Sequence, residues 1–296
     1  MRLAILGCGY VGIELGRQLG DGHEVVGVRR SIDGLAAIRD AGFEAIQADV
    51  TDPESLAAVP DVDALVFAAS SGGRDAEAAR RIYVEGQRRA IEHFGARAEP
   101  PNRYLYTSST GVYGDHGGDW VDESTPIEPT TEKTAVLAAA ETVAREAAAT
   151  AEMVPTVARL AGIYGPDRYR VERYLEGPIT PGYRNLVHRE DAAGAIGFLL
   201  ERDAPVTDVL VVDDEPVDRW TFADWLAEAC REPEPEKVTV EEHLAADDRS
   251  ERATRRLTTD KRCSNERLRS LGYGFQYPTY REGYREAVAA YRRETA

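Results

Sequence analysis

Along the first half of the chain, short apolar runs alternate with stretches whose apolar positions recur every three or four residues. "RLAILG", "HEVVGVRR", "EAIQADV", "DALVFAAS" and "RYLYTSS" have the length and composition of buried strands, while "GIELGRQLG", "LAAIRDAG", "ESLAAV" and "AARRIYVEGQRRAIEHF" have helical spacing. Strands alternating with helices imply right-handed crossovers and a parallel sheet covered on both faces, a doubly wound α/β fold. The alanine-rich stretch 134–152 is a further helix by propensity, ending before another strand, "VPTVARLAG".

Past Pro166 the pattern loosens, and glycine and proline punctuate short elements in "DRYRVERYLEGPITPGYRNLVH". A helix in "REDAAGAIGFLLER" and a strand in "DVLVVDD" return to the sheet. They are followed by a helix in "TFADWLAEACRE", an acidic connector "EPEPE", a strand in "KVTV", and helices in "SNERLRSLGY" and "TYREGYREAVAAYRRE". "AADDRSERATRR" has the composition of a mobile loop. The expected division is a sheet domain over 1–165, rejoined by 189–214, and a smaller lobe over 166–296.

Composition narrows the class. With 43% hydrophobic and 8% aromatic residues in 296, the chain can bury a large core. Met1 to Leu6 run straight into glycines, too short for a signal segment, and no apolar run approaches the roughly 18 to 20 residues of a membrane span, so a soluble, cytoplasmic protein is expected. Cys8, Cys230 and Cys263 are widely spaced and odd in number, which favours neither a disulfide framework nor structural zinc. The net charge is -16, and of 36 basic residues only Lys133, Lys237 and Lys261 are lysines. Such an acidic, lysine-poor surface suits a halophile, in which salt screens carboxylate repulsion; the plainer alternative is a GC-rich genome. Either origin disfavours nucleic acid as a partner.

Gly7-x-Gly9-x-x-Gly12 closes the first strand and opens an amphipathic helix. In that context the glycines serve a tight turn, close approach to a pyrophosphate and helix-on-strand packing, so Gly7, Gly9, Tyr10, Val11 and Gly12 are expected to bind a dinucleotide on a Rossmann-type sheet. The second strand ends at Arg29, Arg30 and Ser31, where an NAD enzyme usually carries a carboxylate. Two arginines and a hydroxyl suit a 2′-phosphate, which favours NADP, with NAD as the alternative.

Over nearly its whole length the chain resembles the extended short-chain dehydrogenase/reductase superfamily, the sugar-nucleotide epimerases and dehydratases. The residues that carry the resemblance are the glycine turn, Asp49-Val50, Ala68-Ala69-Ser70, "TSSTGVYG", "DESTPIEP", "RLAGIYGP" and "NLVHREDAA". It implies that Asp49 contacts adenine, that Val50 beside it belongs to the cofactor site, that Ala68, Ala69 and Ser70 pass under the nicotinamide ribose, and that Thr107 belongs to the same site. It also implies that Ser109 hydrogen-bonds the reacting oxygen. Two departures stand out. The glycine turn is one residue shorter than the family's usual form, and the Tyr-x-x-x-Lys pair falls on Lys133 and Leu137. The lost pair would place a phenol and an ammonium on one helix face and lower the phenol's pKa. Lys133, or Tyr113 four residues beyond Ser109, are the candidate replacement donors. This pattern looks like the atypical members called NAD-dependent epimerase/dehydratase-like proteins.

The same resemblance makes Tyr164, Arg168, Arg170, Asn185 and His188 candidate substrate contacts in the C-terminal, substrate-binding lobe. Arginines in the cleft of an acidic protein favour an anionic ligand such as a nucleotide sugar. His116 and His188 have no second histidine or cysteine at ligand spacing, which disfavours a metal. The expected activity is an NADP-dependent, epimerase/dehydratase-like oxidoreductase acting on a nucleotide-linked or phosphorylated sugar. The alternative is a non-catalytic NADP(H)-binding sensor. A homodimer is compatible with the sequence.

Overall fold

The computed structural model describes residues 1–72, 75–245 and 257–295. The first half runs β1 (Arg2–Leu6), α1 (Tyr10–Leu19), β2 (Glu24–Arg29), α2 (Ile32–Asp40), β3 (Glu44–Gln47), α3 (Pro53–Leu56), β4 (Ala64–Phe67), α4 (Ala76–Arg80) and α5 (Gln87–Gly95). It continues through β5 (Arg103–Ser109), β6 (Trp120–Val121), α6 (Glu132–Thr150), β7 (Val154–Leu160), β8 (Gly162–Tyr164), α7 (Val171–Leu175), β9 (Tyr183–Arg184) and β10 (Leu186–His188). The remainder is α8 (Arg189–Glu201), β11 (Asp208–Val211), β12 (Val217–Asp218), α9 (Arg219–Cys230), α10 (Val240–Ala245), β13 (Arg262–Cys263), α11 (Glu266–Ser270), α12 (Tyr280–Gly283) and α13 (Arg285–Glu294).

Seven parallel strands form one sheet in the order β11-β7-β5-β4-β1-β2-β3, the doubly wound arrangement expected of a Rossmann-type α/β fold. Because side chains alternate along a strand, Leu3 and Ile5 join one apolar layer and Ala4 and Leu6 the other. Leu15 and Leu19 of α1 with Ile196 and Leu199 of α8 cover the first layer. Ile91 and Phe94 of α5 with Ala140 and Ala144 of α6 cover the second. Each large apolar side chain so buried contributes about 1.5–3 kcal/mol. A third cluster, including Tyr164, Phe222, Leu226, Tyr280 and Tyr284, packs separately from the two layers that cover the sheet. Among the described residues no helix is long and apolar enough to cross a membrane.

Two sequence expectations need correction. "KVTV" is not a strand: only Lys237 bridges, to Ile179, and the chain turns into α10. Thr239 and Glu242 cap that helix reciprocally, each side chain serving the other's backbone N–H, a Thr-x-x-Glu signal that the apolar spacing concealed. The long helix through 78–94 is interrupted by a π-helical turn, Arg81–Gly86, whose Tyr83 hydroxyl accepts from Ser71 N at 3.2 Å. Residues 246–256, which hold nearly all of the "AADDRSERATRR" stretch, lie outside the described residues.

Candidate functional site

The glycine turn leaves β1 at a sharp angle. Gly7 has φ +83°, and the N–H groups of Gly7 and Cys8 both donate to Val28 O at 3.0 Å, which pins the turn to the end of β2. A Cβ on Gly7 would come 2.2 Å from the Ala69 Cα, and one on Gly12 2.9 Å from the Ile5 side chain, so the turn lies flush on β4 and the helix flush on β1. A Cβ on Gly9 would come 2.6 Å from Arg29 Nη1. Among the described residues no side chain caps α1, whose N-terminal N–H groups and dipole are therefore open to an anion. Burial pushes the Cys8 thiol up to about 12, which Arg29 offsets only in part, so the thiol is inert.

The other cofactor candidates gather at the same sheet edge. Arg29 donates to Cys8 O at 3.3 Å, Arg30 reaches Asp49 at 3.3 Å, and Ser31 caps α2 by accepting from Gly34 N. Burial alone would raise the Asp49 pKa. Hydrogen bonds from the Thr51 N–H and hydroxyl and from Arg30 outweigh it and hold the carboxyl below its ordinary value. Val50 is buried, Ala68 and Ala69 are half-buried, Ser70 is exposed, and Thr107 donates to Phe67 O. Arg29 ends β2, Thr107 lies near the end of β5, and the others follow the C-terminal ends of β2, β3 and β4, beside the β1/β4 junction where strand order reverses.

Next to this edge opens a cleft of about 740 Å³. Ser109, Thr110 and Gly111 form one wall, and Ser109 Oγ accepts from Gly111 N at 3.1 Å, which leaves the hydroxyl hydrogen available. Tyr164, Arg168, Arg170 and Asn185 line it, as do Arg173, Tyr174, Arg184, Arg219 and Lys261. Among the described residues no Asp or Glu does, in a chain with 52 of them.

Residues 4–212 match the NAD dependent epimerase/dehydratase family. The chain belongs to that family. It is similar to a functionally unknown conserved protein from Silicibacter pomeroyi DSS, with 31% identity, a TM-score of 0.78 and 98% of each chain covered. The fold is shared with the Thermus thermophilus UDP-glucose 4-epimerase in complex with NAD, at 18% identity, 99% of each chain covered and a TM-score of 0.76. It is shared also with the human epimerase family protein SDR39U1 with NADPH, at 18% identity, covering 98% of this chain and 99% of that one, TM-score 0.77. No curated protein matches the chain.

Within this epimerase/dehydratase-family chain, three expected site residues take other positions. Tyr113 is fully buried, and its hydroxyl accepts from Arg159 Nη1 at 2.6 Å. Burial raises its pKa and Arg159 only partly offsets this, so it is a structural phenol and not a replacement donor. Lys133 does not line the cleft; it stands at the start of α6, where its charge acts on Asp75. Leu137, in the lysine slot, packs on the sheet's apolar layer. His188 is 1% exposed, accepts from Glu190 N as the cap of α8, and lies 3.9 Å from the Tyr277 ring centroid. Burial, then Arg189, pushes its pKa down to about 4, so it is a neutral core residue and not a substrate contact.

Two further residues reach the cleft, Asn185 with both amide groups engaged and Tyr164 with its hydroxyl buried and unpaired among the described residues. Asn185 donates to Lys261 O at 3.0 Å and accepts from Cys263 N at 2.6 Å, fastening β13 to the cleft wall. Tyr164 stacks on Tyr284 at 4.9 Å and is 2% exposed.

Sequence reasoning missed Arg173, Tyr174, Arg184, Arg219 and Lys261. Arg184 donates to Tyr174 Oη at 2.7 Å and lies over the Tyr174 and Phe222 rings at 4.3 and 4.5 Å. Burial would raise the Tyr174 pKa, but Arg184, Arg173 and Arg170 together lower it. The available signal was the repeated Arg-aromatic spacing of "DRYRVERYLEGPITPGYR".

Proposed function

We propose that this family member is a cytoplasmic, NADP-dependent oxidoreductase or epimerase-like enzyme acting on a nucleotide-linked or phosphorylated sugar. One observation carries the proposal: an uncapped glycine cradle adjoins a cleft whose charged lining is cationic throughout the described residues. The cradle fits a dinucleotide because Gly7, held at positive φ with no room for a Cβ against the Ala69 backbone, brings the main chain of the turn to the start of α1. Arg29 and Arg30 stand where a 2′-phosphate would lie, in place of the carboxylate that selects a 2′-hydroxyl.

A nicotinamide held in the cradle would supply or accept a hydride. Ser109 would donate its free hydrogen to the substrate oxygen and fix that carbon for transfer, while Arg170, Arg173, Arg184 and Arg219 hold the anionic end of the substrate. With Tyr113 turned into the core and Leu137 in the lysine slot, no family-type acid assists, and the proton exchanges with water. Such assistance is worth about 10²–10⁴ in rate, so turnover is slow by that factor relative to a complete relative.

The second reading, a non-catalytic NADP(H) sensor, is favoured by the placement of Lys133 away from the cleft. Assays of NADPH oxidation and NADP⁺ reduction over nucleotide-sugar and aldehyde panels separate the two. The enzyme reading expects weak turnover that Ser109→Ala abolishes and Lys133→Ala and Tyr113→Phe spare. Micromolar NADPH binding with no turnover on any panel would leave the sensor standing.

A further inference from the structure

We infer that Arg168 grips the diphosphate of the dinucleotide from the second lobe, so that the cofactor ties the two lobes together. This rests on the glycine turn being the dinucleotide cradle. Tyr10 is the first residue of α1, and the Arg168 guanidinium carbon lies 3.9 Å over its ring, which places that charge beside the open N-terminus of the helix. The Tyr10 hydroxyl also donates to Pro166 O at 2.7 Å, so the aromatic platform and the segment carrying Arg168 are fastened together.

Three further observations point the same way. A guanidinium whose face is taken by a ring still has its N–H groups at the edge, the geometry that engages two phosphate oxygens. Arg189 also lies over Tyr10, at 5.1 Å, but it is committed to Glu14 at 3.2 Å. Among the described residues the Arg168 side chain has neither a carboxylate nor a hydrogen-bond partner. Finally, the turn that carries it is strained on both sides: Asp167 at φ +64° and Arg170 at φ +56° adopt left-handed conformations that L side chains adopt at a cost. The Arg168 N–H closes the turn onto Gly165 O at 2.9 Å. Arg168 is exposed, held over the Tyr10 ring by this turn, and the edge of its guanidinium is open to an anion seated at the start of α1. The cleft's own anion has separate cations, Arg170, Arg173 and Arg184, which converge on Tyr174.

The test is a substrate-free calorimetric titration of full-length wild type, Arg168→Met and Arg168→Lys with whichever of NADPH and NADH binds wild type, and with UDP as the probe for the substrate cleft. Arg168→Met should weaken dinucleotide binding by roughly ten- to a hundredfold, as for one lost charge-assisted pair, and by clearly more than it weakens UDP binding, with the melting temperature unchanged. Arg168→Lys, which keeps the charge and loses the fork, should recover part of it. Unchanged dinucleotide affinity in Arg168→Met overturns the inference, as does a loss confined to UDP. If wild type binds neither dinucleotide, the cradle assignment itself falls and this inference with it.

Discussion

Arg159 and Arg184 are both drawn in from solvent, and their surroundings could hardly differ more. Arg159 pairs bidentately with Glu141 at 3.0 and 2.8 Å, and Glu141 also accepts from Ser108 at 2.7 Å and Arg145 at 2.9 Å. Arg145 then bonds Asp208, and the network clamps β5, α6, β7 and β11. Among the described residues Arg184 has a phenol, two aromatic faces and no carboxylate. Burial first, and then the charge of Arg184, lower the pKa of neighbouring Arg219. A cation saturated by carboxylates serves the fold. One held by rings and carbonyls beside a cleft keeps most of its field for a ligand.

Breaking a partner in each region tests that contrast most severely. Glu141→Gln leaves the buried Arg159 against a neutral amide, with half-buried Arg145 keeping only Asp208, and should cost about 3–5 kcal/mol in denaturant unfolding. Arg184→Met should change stability by no more than about 1 kcal/mol, because methionine retains much of the packing on Tyr174 and Phe222, while the affinity for UDP falls. A Glu141→Gln cost below that of Arg184→Met would erase the distinction.

His188 sharpens the comparison from a third side, as an ionisable group hosted by staying neutral. Its rings for neighbours are Tyr164, Tyr169 and Tyr277, and Arg189 adds a like charge. The folded pKa lies at about 4, below the ordinary 6.5, so the unfolded chain takes up this proton first. Stability from this group is therefore complete above pH 6.5 and is lost as pH falls toward 4, by on the order of 3 kcal/mol. His188→Gln should flatten that part of the stability–pH curve, whatever it costs at pH 7. An identical acid slope in variant and wild type refutes the neutral assignment.

These cases show why some of the site was legible in the chain and some was not. The cradle is local: Gly7, Gly9 and Gly12 lie within one turn, and Arg29 to Ser31 follow one strand, so order along the chain is order in space. Tyr113 and His188 were misplaced because a motif fixes a neighbourhood but not a facing direction. Ser108 turns inward to Glu141 while Ser109 faces the cleft, a difference of one residue in a period of two. The cleft's cations come from α7 and the turn before it, β9, the start of α9 and the segment before β13, and no spacing within any one of these segments reveals their convergence.

Arg29 and Arg30 fall between the two extremes, one on a carbonyl and the other on an exposed carboxylate pair. If they serve a ligand as Arg184 does, replacing both with alanine should erase a NADPH-over-NADH preference of roughly tenfold, about 1.4 kcal/mol, and leave NADH binding nearly unchanged. Equal wild-type affinity for the two cofactors, measured calorimetrically, would remove the 2′-phosphate assignment.

Salt should separate the regions most gently, and by sign. The net charge of -16 implies surface carboxylate repulsion that molar KCl screens, so if the composition is a halophile's the melting temperature should rise by a few degrees, on the order of 1 kcal/mol. The Glu141–Arg159 pair is nearly inaccessible to solvent, with side chains 0% and 4% exposed, and ions cannot enter to screen it. The cleft is open, so its attraction for an anion is screened, and UDP affinity should fall over the same titration. Glu141→Gln should therefore lose the same stability at low and high salt, whereas the loss of UDP affinity in Arg184→Met should shrink as KCl rises. A melting temperature that stays flat or falls would return the acidic composition to genome bias without touching the contrast between the two arginines. A Glu141→Gln penalty that shrinks with salt would mean that the network is wetter than its burial implies, and the contrast itself would fail.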